Sequence, residues 1–363
     1  MSRSRIFLTL CVALLLALMP LSPAAAQDGA TQIRITQVDN SNFPRVTVYI
    51  SITGADGEPV GVNPSQIKLY ENGVLVQPEQ VLGSGEAGPL TTMLLMDVSG
   101  SMYNGGKLVA AKVAAKAYVA QMRPGDKAGL IIFNTQVTYV QPITGDHAAL
   151  NSAIDGLNAR NDTAMYDALL KAVEVLQGES GRKAIIVLTD GLDNRSKATA
   201  EDVISAVGPG GLSISTIGLG DPASLGTNFG LDEASLKSLA ERAGGVYGYA
   251  QDTGSLQALY EAYGRAMQSE YAIVYISPSA LRDGVNRTLT VSLGEAGGTL
   301  ADAQYNPGGV LPEVSEKSWM LFIGVLAGLV LLAFLPGIIG LFARTGKKNA
   351  SEVSKKKSRI KLK

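Results

Sequence analysis

The chain is 363 residues long, 46% hydrophobic and 17% charged, enough for one or two globular domains with a substantial core. Its only cysteine, Cys11, falls in an apolar leader, so residues 27–363 offer no disulfide and no thiolate chemistry, and any Ser-His-Asp mechanism would have to run through the lone histidine, His147. The formal net charge of −1 hides an asymmetry: residues 27–318 hold 20 basic and 31 acidic side chains, a charge of −11, which argues against a nucleic-acid partner and suits cation binding.

Residues 1–26 have the three parts of a secretory signal peptide: Arg3 and Arg5, the apolar core IFLTLCVALLLALMPL, and small residues before Gln27. The apolar run is shorter than the ~20 residues of a membrane span, so a cleaved leader is expected. Residues 27–89 carry the alternating, β-branched segments QIRITQV, RVTVYISIT and QIKLYENGVLV, with turn signals at GADGEP and YENG. They predict a small antiparallel sheet, followed by the linker GSGEAGP at 83–89.

Over residues 90–268 the pattern changes. TTMLLMDV, KAGLIIF, KAIIVLTD and LSISTIGLG are short apolar runs of the kind that form strands buried on both faces. Between and after them lie the helical stretches KLVAAKVAAKAYVAQM, AMYDALLKAVEVLQ, LDEASLKSLAERAG and TGSLQALYEAYGRAMQ. This alternation predicts an α/β fold, a Rossmann-like doubly wound and mostly parallel sheet between helix layers. His147 sits in TGDHAAL, in the first turn of a helix capped by Thr144 or Asp146, and reads as a solvated surface residue.

Residues 269–318 return to β pattern in EYAIVYIS and NRTLTVSL and end in the stalk YNPGGVLPEVSEK. With the first β-rich section they predict either one discontinuous sandwich, split by the α/β domain inserted between them, or two separate small sheets. Residues 319–343 carry no charge over a bilayer-spanning length, with Trp319 at one edge and Pro336 inside, and predict a single transmembrane helix. The tail, 344–363, sets nine Lys or Arg against Glu352 alone. Basic flanks stay in the cytoplasm, so the tail is expected inside and residues 27–318 outside the cell membrane.

The stretch LLMDVSGSM (94–102) breaks an apolar run with Asp97, then places hydroxyls at Ser99 and Ser101. Alternate residues of an extended chain point the same way, so the three side chains converge. Asp190 ends a second apolar run before a Gly turn, and Thr163 lies in ARNDTAMYDAL, a loop feeding a helix. In an open α/β sheet the ligand crevice lies beyond the carboxyl ends of the strands, where these positions belong. Five oxygen side chains with no histidine or cysteine make a hard-cation site, for Mg²⁺ first, with Mn²⁺ or Ca²⁺ as alternatives. Only two are acids, so a coordination position stays open for water or an incoming carboxylate. DVSGS by itself is as often a helix cap; the second strand end and the Thr loop tip the balance.

On these motifs residues 90–268 resemble a von Willebrand factor type A (VWA) domain, DVSGS with TDG resembling its metal-ion-dependent adhesion site. The resemblance implies that Ser99, Ser101 and Thr163 are direct hydroxyl ligands, and that Asp97 and Asp190 hold the ion directly or through water. It also implies a partner protein whose Asp or Glu completes the ion's shell. RND before Thr163 stands where the family often has glycines; Asp162 there, and Asp193, read as loop acids near the rim. The flanking β sections resemble those of bacterial membrane-anchored members. A non-enzymatic adhesion or protein-binding module is therefore expected. The other two classes are a scaffold subunit of an envelope complex and a metal-dependent hydrolase using Asp97 as nucleophile. The hydrolase is disfavoured because the motif lacks a second acid two residues on and has no acid–base or phosphate-clamping side chain.

Overall fold

The computed structural model describes residues 31–160, 162–208, 211–220, 231–294, 299–309 and 322–330. The expected leader (1–26), the tail (344–363) and most of the expected span (319–343) lie outside the described residues. Residues 322–330 are helical, and among the described residues no helix is long and apolar enough to cross a membrane.

The central body is a six-stranded sheet made by β6 (Leu90–Asp97), β7 (Lys127–Phe133), β8 (Val137–Thr144), β9 (Arg182–Thr189), β10 (Ser213–Leu219) and β11 (Gly244–Ala250). Its order is β11-β10-β9-β6-β7-β8, parallel throughout except for the antiparallel edge strand β8. Among the described residues six helices accompany it: α1 (Lys107–Gln121), α2 (His147–Asp155), α3 (Met165–Gln177), α4 (Ala200–Val207), α5 (Glu233–Arg242) and α6 (Thr253–Gln268). All eight residues of β6 are buried, and alternation sends them to opposite faces. Leu94 and Met96 join a core with α1, α2 and α6, whereas Met93 and Leu95 join one with α3, α4 and α5. A strand apolar at nearly every position is what two helix layers require.

Around this body lies a second unit. One four-stranded sheet has the order β1-β2-β12-β5, from Gln32–Asp39, Arg45–Thr53, Tyr271–Ile276 and Gln80–Leu82. The other has the order β14-β13-β3-β4, from Leu300–Tyr305, Arg287–Leu293, Ile67–Glu71 and Val74–Val76. All pairings are antiparallel. Inward residues of both sheets, among them Val48, Ile50, Leu69, Ile273, Leu289 and Val291, share one core. The β-rich sections before and after the α/β body thus interleave in one sandwich, and the α/β body is inserted between β5 and β12.

The sandwich packs on the amino ends of the parallel strands. Gln37 of β1 donates to the Gly181 carbonyl (3.0 Å) and accepts from the Lys183 amide (2.8 Å), just where β9 begins. Arg34 donates to the Gly245 carbonyl at the start of β11. Arg182, fully buried, pairs with Glu270 at 2.6 Å and donates to the carbonyls of Gly88 and Met267, tying linker, α6 and β12 together. The carboxyl ends of the strands therefore face away from the sandwich.

Candidate metal centre

The sheet order reverses at the central pair: β6 connects through α1 to β7 on one side, while β9 on its other side leads through α4 to β10. A crevice at the carboxyl ends of such a pair is the usual ligand site of an open α/β sheet. β6 ends in Asp97, and β9 ends in Thr189, one residue before Asp190. Parallel pairing of Met96 with Leu188 puts the two ends side by side.

Asp97 is fully buried. Its Oδ1 accepts from the Ser99 amide at 2.7 Å and its Oδ2 from the Thr189 hydroxyl at 2.7 Å. The Ser99 and Ser101 hydroxyls lie 2.9 Å apart, and Ser101 donates to Asp190 Oδ1 at 2.6 Å. Asp97, Ser99, Ser101 and Asp190 are thereby gathered into one hydrogen-bonded group. Thr163 stands beside it, placed by its backbone. Its carbonyl accepts from the amides of Asn194 and Arg195 (both 3.1 Å), and its amide donates to Asn194 Oδ1 at 3.1 Å. The Arg160 amide, three residues earlier, donates to the Val98 carbonyl at 2.7 Å, so this loop clasps both strand ends. Thr163 is itself buried.

The electrostatics follow from burial. Desolvation pushes the Asp97 carboxyl up to about 6, the nearby Asp190 charge adds to the rise, and the bonds from Thr189 and Ser99 oppose it. Lys107, the first residue of α1, places its ammonium 2.6 Å from Asp190 Oδ2. The remaining donors are hydroxyls, and among the described residues no group of three or more His, Cys, Asp or Glu side chains gathers to hold a metal. The donor set fits a hard divalent cation: oxygen throughout, with two buried acids, the serine hydroxyls and the buried Thr163.

Three contributors have no role in the site as read from the sequence: Thr189, although it opens TDG, Asn194 and Lys107. Thr189 and Asn194 are ordinary strand-end and loop residues whose roles appear only when β6, β9 and the Thr163 loop come together. Lys107 carried a signal, because a cation in the first turn opposes the helix dipole and needs an anion in return. The loop acids have structural partners. Asp193 accepts from the amides of Tyr166, Arg195 and Ser196 and from the Ser196 hydroxyl, and Asp162 pairs with Arg195 at 2.6 Å.

An open α/β sheet with an all-oxygen cleft at its central strand ends is the architecture of a von Willebrand factor type A domain. Residues 92–192 match the family model of that domain, and the chain carries a VWA domain there. The chain is 29% identical over 202 residues to a UPF0353 protein of Mycolicibacterium paratuberculosis; the match covers 49% of this chain and 60% of that protein. It is also similar in structure to a von Willebrand factor type A protein from Catenulispora acidiphila (17% identity, TM-score 0.46, 77% and 74% of the two chains). A further similar structure is an aerotolerance-related membrane protein from Bacteroides fragilis (22% identity, TM-score 0.43, 49% and 98%).

Proposed function

We propose that this chain is a membrane-anchored, extracytoplasmic binding module. Asp97, Ser99, Ser101, Thr163 and Asp190 hold a divalent cation, Mg²⁺ before Mn²⁺ or Ca²⁺, and through it engage an Asp or Glu of a partner protein. The observation that carries this reading is the convergence of four of these side chains, with the buried Thr163 beside them, at the strand ends where the sheet order reverses. When bound, the ion supplies a Lewis-acidic positive charge that a partner's carboxylate can complete. The chain's part is to hold the oxygens in place. β6 and β9 fix the acids, the turn after Asp97 aligns the serines, and the Thr163 loop is pinned to both strand ends.

A binding role is favoured over hydrolysis by the state of Asp97. Both its oxygens are engaged by Ser99 and Thr189 and the side chain is buried, so it is badly placed to attack a substrate. Lys107 sits on Asp190, not on Asp97. Anchoring rests on the signal-like residues 1–26, the uncharged run 319–343 and its basic flank. β14, the last strand among the described residues, belongs to the sandwich, and the site lies at the opposite end of the α/β body from that sandwich.

Calorimetry on the full chain in detergent tests the metal. The wild type should bind one Mg²⁺ or Mn²⁺, Asp97→Ala should not, and Ser99→Ala or Ser101→Ala should weaken binding, since each deletes an oxygen but no charge. Equal affinity for the wild type and Asp97→Ala would overturn the assignment.

A further inference from the structure

Lys107 is out of place by every local rule. It opens α1, where the helix dipole disfavours a cation, and its helix has no side-chain cap. What holds it is Asp190, whose side chain has no exposure at all, whereas that of Lys107 is 29% exposed. The pair is therefore asymmetric: the acid is fixed inside, while the amine ends a flexible four-carbon stem with a route to solvent.

Two buried acids would leave the cleft at −2, and the ammonium brings it to −1. A divalent ion entering with Lys107 in place gives +1, and only a further carboxylate returns the site to neutrality. With Lys107 absent, the same ion would meet −2 and be neutralised at once. The ammonium also occupies Asp190 Oδ2 directly, at 2.6 Å, while Ser101 occupies Oδ1.

We propose that Lys107 is a built-in counter-ion that competes with the divalent cation for Asp190, so that the ion binds weakly alone and tightly only with an incoming carboxylate. This rests on the metal-binding reading above and adds its regulation. Without the ion the lysine keeps a buried acid neutralised and the cleft intact. With ion and partner together, the partner's acid supplies the charge that the lysine had offset. Metal occupancy and partner binding are thereby coupled through one side chain, and coupling of this kind is reciprocal.

The test uses the full chain in detergent and Mn²⁺ alone, followed by calorimetry and by the paramagnetic resonance signal of free Mn²⁺. Lys107→Gln and Lys107→Met should bind Mn²⁺ at least about tenfold more tightly than the wild type, because a positive charge beside the ion is gone. Lys107→Arg, which keeps the charge, should stay near the wild type. In chelator the neutral variants should melt below the wild type, and at saturating Mn²⁺ this order should reverse. The wild-type chain supplies a second reading that needs no variant: acetate, as a free carboxylate, should strengthen its Mn²⁺ binding. Neutral variants that bind no more tightly than a wild type that does bind would overturn the role of Lys107 and leave the metal site standing. So would a wild type indifferent to acetate. Absence of Mn²⁺ binding in every form would remove both.

Discussion

Asp97 is an acid placed where water does not reach, and that position governs its behaviour without metal. Its folded-state carboxyl titrates near 6, against 3.8 for the free side chain. Between those values the folded state binds more protons than the unfolded one, so stability falls as pH rises through that window and levels off above it. That difference corresponds to roughly 3 kcal/mol. Urea unfolding in chelator should show that loss from pH 4 to 7; saturating Mg²⁺ should cancel it, and Asp97→Asn, which has no charge to bury, should flatten it. A slope that persists in Asp97→Asn would assign the effect to another group. At this scale Asp97, Ser99 and Ser101 were legible because an extended chain repeats every second residue. Lys107 was legible only as a cation out of place in a helix's first turn; its partner was not, because only the fold carries β9 and Asp190 alongside it.

Among the elements, β9 links the two ends of the α/β body. Its last residue, Thr189, bonds Asp97, and its first, Arg182, is the hub of the junction with the sandwich. Arg182 pairs with Glu270, and its guanidinium also lies over the Tyr49 ring. Breaking a buried ion pair from one side leaves a charge without compensation, typically at a cost of about 3–5 kcal/mol. Arg182→Met should lose stability on that order, and adding Glu270→Gln should recover most of it. The two ends of the strand are roughly 25 Å apart at ~3.3 Å per residue, so Mg²⁺ affinity of the folded variant should be unchanged. Denaturant unfolding and metal titration check the two halves. The strands β6, β7, β9 and β10 were readable as apolar runs. β8 and β11 were not: β8 is a half-exposed edge strand carrying Pro142, and β11 is the glycine-rich GGVYGYA. In both, tertiary pairing outweighs local propensity.

For the molecule as a whole, the decisive feature is that the chain leaves a sandwich, builds the α/β body and returns. Composition and alternation showed both β-rich sections, but their pairing depends on contacts between segments far apart in the chain, such as Ile273 of β12 beside Val48 of β2, for which no local signal exists. The insertion seats the sandwich on the amino ends of the parallel strands and leaves the carboxyl ends open, on the far side from the sandwich. An all-oxygen cleft at that open edge is the arrangement on which the proposed metal-mediated binding depends. The most direct test is anomalous diffraction from crystals of the protein grown with Mn²⁺. The account predicts one strong peak ringed by Asp97, Ser99, Ser101, Thr163 and Asp190. A peak elsewhere with this cleft empty, or no peak in crystals grown at saturating Mn²⁺, would contradict it.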